Sequence, residues 1–419
     1  GENMTQTNDK TKLKPMNKAM LVTHGLNNVV SVFVSTFLIS YIYSISTNYI
    51  LNIGLFYCSN YFLMTIFYYL ISTIIDKTDR VTFYRMAILV RGVFILCVVF
   101  LGKDLAKFVV LAGALHGFSE ACYWTSYNLM KNELVSKHAV GRYSLDQFLV
   151  EKAVNIIIPL ILGKIIDGES FRICAIIILV MVGAQLISSI FIKSKRPENS
   201  SFSFKEFSDA TNNLEKDKKK LIVWQVIIAA IYGFAAVVAP LNTILIMISF
   251  DSNFSLGVLT SVFAILAMIL VIVFKKKTKI GGRGLIYYIS AIVPVIATAI
   301  LIVNINKATV IAYTACYTLS IVLYVYGYDV VRNLIIKKFD MYDSIAEFQC
   351  AIELSMGISR AVIFGLMAIV GLISAGLDKN GLILLMKVFC GASILLVSAM
   401  NVVVAVYERK FKKCVITED

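Results

Sequence analysis

Seven ionisable side chains stand inside long apolar runs of this chain: Arg91, Glu120, Glu151, Lys152, Glu353, Arg360 and Lys387. At the centre of a bilayer each would cost roughly 2.5–3.5 kcal/mol on insertion scales, so each needs a compensating role. Glu120 shares one helical face with Tyr123, Trp124, Tyr127 and Lys131, at offsets of 3, 4, 7 and 11 residues. A carboxylate in that company suits a substrate contact or a proton carrier, and it equally suits a buried pair with Arg91. Gln147, Glu151 and Asn155 recur every four residues and form a polar stripe, fit either to line a cavity or gate or to bond between helices. Glu353, Gly357 and Arg360 make a third stripe. The guanidinium offers a fixed fork for a carboxylate or phosphate, or a salt bridge to Glu353 or Glu120. Asn28, Ser31 and Ser35 share a face of the first run, with His24 nearer its end. Asn242 follows Pro240 in the seventh run, and Tyr313, Tyr317, Tyr324 and Tyr328 line the tenth.

The elements that must hold these groups follow from composition. Of 419 residues, 58% are hydrophobic and 16% charged, with a mean hydropathy of +0.80. Soluble domains sit nearer 45–50% apolar and about 25% charged, so a soluble enzyme, a disordered chain and a coiled coil are excluded. Twelve runs are long enough to cross a hydrocarbon core of about 30 Å. They fall near 20–43, 50–75, 82–101, 107–132, 145–166, 172–193, 221–248, 254–274, 284–303, 308–336, 346–375 and 380–407. The chain is therefore expected to be an all-α integral membrane protein of twelve transmembrane helices. The opening decapeptide is polar and shows no cleaved signal peptide.

Seven of the eight cysteines lie in apolar runs without metal-ligand spacing and read as buried thiols. No Walker loop, HExxH or G-x-S-x-G is present. The expectation is no cofactor, no metal and no enzyme chemistry. A net charge of +14 would suit nucleic acid in a soluble protein. Here it is expected to set topology and meet anionic lipid, with no nucleic acid partner. Thirty Lys and Arg fall in tails and loops on one side of the twelve runs and six on the other, which puts both termini on the cytoplasmic side.

The polar stretch 194–220 divides the chain six plus six. The expected units are an N-terminal tail (1–19), a first bundle (20–193), a weakly ordered cytoplasmic linker (194–220), a second bundle (221–408) and a tail (409–419). The bundles repeat each other. Tyr123, Tyr127, Asn128, Lys131 and Asn132 align with Tyr324, Tyr328, Asp329, Arg332 and Asn333 at a shift of 201, and Ser144–Phe148 aligns with Ser344–Phe348. His24-Gly25-Leu26 matches Tyr232-Gly233-Phe234 more weakly. A repeat of the same orientation implies two pseudo-symmetric six-helix bundles about the membrane normal.

This layout resembles the major facilitator superfamily of secondary transporters. The local motif is the loop after the second run. The family pattern G-x-x-x-D-[RK]-x-G-[RK]-[RK] is met by Asp76, Lys77 and Arg80, while both glycines and the last basic residue are missing. The resemblance gives Asp76, Lys77 and Arg80 a gating role, which Asp329 and Arg332 would share at the matching end of the second half. The antiporter signature of the fifth helix survives only as Pro159 and Gly163. The stretch from Gly117 to Asn128 is also similar to YqgE-type bacterial transporters.

The Ile, Asn, Lys and Tyr bias points to an AT-rich bacterial genome and hence a plasma membrane, and the resemblance implies rocker-switch alternating access by a monomer. Its small-molecule substrate would sit at midplane among Arg91, Glu120, Tyr123, Trp124, Tyr127, Glu151, Asn155, Glu353, Arg360, Asn28, Asn242, Tyr324 and Tyr328. Protons would drive it, with Glu120 first and Glu151 or Glu353 next as carriers. The aromatic face favours export of an amphipathic compound, and the arginines suit uptake of a small anion. A lipid translocator on the same fold is the second class, and a non-transporting sensor the third.

Overall fold

Lipid offers no partner to a backbone amide, so each apolar run must close its hydrogen bonds within itself, and helices result. The computed structural model describes residues 13–135, 139–194, 202–277, 283–341 and 344–415. The ends of both tails, linker residues 195–201, Lys137, Lys279 and the Asp76 side chain lie outside the described residues.

The first half comprises α1 (Pro15–Ile45), α2 (Tyr49–Ile74), α3 (Arg80–Leu101), α4 (Val109–Leu134), α5 (Val140–Gly168) and α6 (Phe171–Ser189). The second comprises α7 (Lys216–Phe250), α8 (Asn253–Lys277), α9 (Gly284–Val303), α10 (Lys307–Lys338), α11 (Ile345–Ile373) and α12 (Lys379–Val415). Ten of these are long and apolar enough to cross a membrane by length and composition. The other two, α4 and α5, carry the first two polar stripes described above.

Helices start where a polar side chain can cap them. Asn48 accepts from the Leu51 amide, Asp79 from Val81 and Ser170 from Ile173, and Asn306 and Thr309 form a capping box. Among the boundaries that differ from those expected, three lie at lysine-bearing ends. α1 starts at Pro15 rather than near 20, α7 at Lys216 rather than 221, and α12 runs to Val415 rather than 407. A hydropathy run ends where the lipid does, but the helix continues into water on lysine-rich turns. Pro15, at the first helical position, fixes the start of α1.

The linker is not featureless. Phe204–Asn212 form a short helix, capped by the Ser203 side chain on the Glu206 amide. The reason is aromatic: Phe204 stacks on Tyr69 of α2 at 6.0 Å, and Phe207 lies 6.2 Å from Phe348 of α11. The Ser203 amide also donates to Glu347 at 3.0 Å. The segment therefore touches both halves.

Two helices lose regularity at matching places. α1 widens into a π-helical stretch over Phe33–Leu38, and α7 is interrupted between Ala235 and Val238, just before Pro240. Pro240 supplies no amide to the residue four before it, which breaks the ladder there. Local π geometry of this kind often borders functional sites.

The halves meet along α2–α11 and α5–α8. At the face opposite the termini this contact is tight. Asn48 donates to the Gly371 carbonyl at 2.8 Å. Gly163 and Gly257 let the α5 and α8 backbones approach so closely that a Cβ on either would strike the other helix. Asp167, ending α5, accepts from the amides of Asn253 and Phe254 at 3.0 and 2.9 Å and from the Ser252 hydroxyl at 2.7 Å. One half thus caps the first turn of a helix in the other.

Candidate functional site

Between the halves at mid-depth lies a cavity of about 240 Å³. Its walls are Ser31, Val34 and Ser35 of α1; Tyr57, Asn60, Tyr61 and Met64 of α2; His116, Glu120 and Trp124 of α4; Ala236, Ala239 and Pro240 of α7; and Arg360 of α11. The π-helical stretch and the Pro240 break both border it. Nearer the termini, a second opening of about 190 Å³ separates the halves, lined by Tyr68, Asn128, Lys131, Arg332 and Gln349 among others.

The N-terminal wall is a connected polar network. Arg91 donates to Glu120 at 2.5 Å, and the Trp124 indole donates to the other Glu120 oxygen at 2.9 Å. Arg91 is fully buried and stands 5.2 Å over the Tyr123 ring. His24 is buried too. Its ring shares one hydrogen bond with the Tyr123 hydroxyl at 2.7 Å and another with Glu151 at 2.8 Å, and stacks on Tyr127 at 4.5 Å. Gln147 donates to Glu151 at 2.8 Å and accepts from Lys131 at 2.8 Å. A hydrogen-bonded chain thus runs from Lys131 at the termini-side opening through Gln147 and Glu151 to His24 and Tyr123.

The C-terminal wall is sparser. Arg360 lies 5.1 Å from the Tyr61 ring and 5.6 Å from the Tyr232 ring, held by cation–π attraction between the halves. No ion pair joins it to a carboxylate among the described residues, and its Nε has no hydrogen-bond partner. Glu353, two turns back on α11, shares a small gap of about 10 Å³ with Arg360 and accepts from Gln349 at 3.0 Å.

The residues expected at the site separate into three groups. Glu120, Trp124 and Arg360 line the cavity, with Arg91 behind Glu120. Tyr123, Tyr127 and Glu151 sit in the His24 network. The remainder hold helices together or stand apart. Tyr324 and Tyr328 donate to the α7 carbonyls of Ile228 and Gln225, and Asn242 accepts from Thr314. Asn28 and Asn155 are half-buried and do not border the cavity. Of the gating set, Arg80 pairs with Glu133 of α4, and Arg332 pairs with Asp329 one turn away at 3.0 Å. Lys77 is exposed.

Sequence reasoning passed over the α2 wall. Tyr57, Asn60, Tyr61 and Met64 recur at 0, 3, 4 and 7, a helical face that could have been read as the α4 face was. His24 was legible only as an interfacial histidine, because its partners come from two other helices.

The internal repeat is visible in three dimensions. Tyr123 stacks on Tyr127 at 5.5 Å, as Tyr324 does on Tyr328 at 6.0 Å. His24 of α1 lies against the first pair, and Tyr232 of α7 stacks on Tyr324 at 5.5 Å, so even the weak match between α1 and α7 has a structural counterpart.

Residues 20–346 match the family model of the Major Facilitator Superfamily. The uncharacterized protein YqgE of Bacillus subtilis is 21% identical over 199 residues, a match that spans 46% of this chain and 46% of that relative's length. Among solved structures, a D-xylose-proton symporter superposes with a TM-score of 0.64 at 13% identity, covering 94% of this chain and 97% of the other. The nucleoside transporter NupG gives 0.61 at 13%, covering 95% and 100%. At these identities the two likenesses concern the fold. Two six-helix halves closed around a central cavity and a family model matched over most of the length agree: the chain belongs to the Major Facilitator Superfamily, and is a membrane transporter and not an enzyme.

Proposed function

We propose that this protein is a proton-coupled secondary active transporter of a bacterial plasma membrane, acting as a monomer by rocker-switch alternating access with both termini cytoplasmic. The observation that carries the reading is the central cavity, walled by both halves, between a packed face and an opening on the termini side. The thirty-to-six distribution of Lys and Arg supports the orientation.

Among the three carboxylates proposed as proton carriers, Glu120 is committed to Arg91 and Glu151 to His24. Glu353 has no cation within ion-pair distance among the described residues and borders the cavity arginine. It can gain and lose a proton without breaking an ion pair, so it takes first place as the carrier. The test uses proteoliposomes with a pH dye inside and an imposed gradient of candidate small molecules. Inward movement of a substrate should change internal pH, and the sign of that change distinguishes symport from antiport. Glu353→Gln should retain substrate exchange and lose the pH change. A substrate that crosses with no pH change in the wild type would overturn the coupling.

A further inference from the structure

Arg360 lines the cavity and has no ion pair among the described residues. Of the charged residues lining the cavity, Glu120 is already neutralised by Arg91. Arg360 is held in place by two tyrosine faces and lacks an anionic partner among the described residues. Glu353 is the nearby carboxylate on its own helix, but it lies across a gap and outside ion-pair distance. A cation in mid-membrane without a counter-charge is costly, and such residues mark ligand pathways by default.

Two further groups wait in the same cavity. Asn60 and His116 are 3% and 8% exposed, both line the cavity, and Asn60 Oδ1 and His116 Nδ1 have no hydrogen-bond partner among the described residues. Buried polar atoms are rarely left unsatisfied in a working state. The same wall carries three aromatic rings, Tyr57, Tyr61 and Trp124. The volume of about 240 Å³ falls below the ~300–1,000 Å³ that drug-sized ligands occupy.

We propose that the substrate is a small ring-bearing organic monoanion, a carboxylate, whose charged group is held by the Arg360 fork and whose ring lies among Tyr57, Tyr61 and Trp124. Asn60 and His116 meet polar substituents on the ring. One uncompensated guanidinium selects a single negative charge, and its planar donors fit a carboxylate in two parallel hydrogen bonds. This assignment rests on the transporter reading above and adds the substrate class.

The test uses purified full-length protein with three ring-bearing probes of different charge: benzamide and benzoate, which share one shape, and the bulkier phenyl phosphate. At about 10 mM, tenfold above a millimolar Kd, benzoate should raise the melting temperature and the other two should not. That comparison requires no substitution. Arg360→Gln should weaken benzoate by at least about tenfold, a loss of about 1.4 kcal/mol. Arg360→Lys, which keeps the charge and loses the fork, should fall between. Equal stabilisation by benzoate and benzamide, a preference for phenyl phosphate, no effect of benzoate, or wild-type benzoate binding in a folded Arg360→Gln protein would each overturn the proposal. Counterflow in liposomes separates the two layers. Arg360-dependent benzoate binding without flux would sink the proposed secondary transport of this substrate class and leave the anion site. Flux of a neutral ring compound indifferent to Arg360 would do the reverse.

Discussion

At the scale of single residues, the membrane charges settle into unequal company. Arg91 and Glu120 make a short contact at the cavity wall backed by Trp124, so Glu120 is bound into the wall rather than idle within it. Glu120→Gln keeps size and shape but leaves the fully buried Arg91 without its counter-charge. Breaking a buried pair from one side costs about 3–5 kcal/mol. Purified Glu120→Gln should therefore give a lower yield and a clearly lower melting temperature than wild type. A variant as stable as wild type, with gradient-driven flux abolished, would return Glu120 to the role of proton carrier. The sequence names both outcomes for Glu120 and cannot choose between them. The choice depends on which way α3 turns Arg91, and a helical stripe on α4 alone does not hold that information.

At the scale of elements, the closed face is a matter of backbone approach and one reciprocal cap. Asp167 of α5 satisfies two amides at the start of α8 across the boundary between halves. Loss of an N-cap is worth about 0.5–2 kcal/mol, and one or two kcal/mol shifts an equilibrium by a factor of about 5–30. In Asp167→Ala, amides from Asn253 to Gly257 should exchange hydrogen faster by up to that factor, read by mass spectrometry, while α9 and α12 stay as they were. Unchanged exchange in the first turn of α8 would mean that the cap contributes nothing to closure. Element positions were nearly all legible, because a bilayer imposes length and apolarity on every span. The exceptions have common causes. Lys-rich turns prolong α1, α7 and α12 into water, where hydropathy is silent. The linker helix forms because two phenylalanines in a polar stretch, Phe204 and Phe207, find Tyr69 and Phe348 on other helices. The α2 wall of the cavity, Tyr57 to Met64, carries no charge, and an uncharged aromatic face reads the same whether it packs or recognises.

At the scale of the molecule, two halves related by an internal repeat share a central cavity, which lies between a packed face and an opening on the termini side. Such a repeat was legible in the polar matches of the fourth and tenth runs, and its stacked tyrosine pairs show why those residues recur. What sequence could not supply is which contacts cross between halves, since α5–α8 and α2–α11 bring together residues from 86 to 323 positions apart. The account's central claim is that these halves rock, so that the cavity opens to one side and then the other. The most direct measurement places one pair of spin labels across α5 and α8 at the packed face and another across α4 and α10 at the termini side, in protein reconstituted in lipid. Pulsed electron resonance should find two populations for each pair, changing in antiphase with pH and with added substrate: as the packed face widens, the termini side narrows. A single unchanging distance at the packed face under every condition, or both faces widening together, would contradict alternating access.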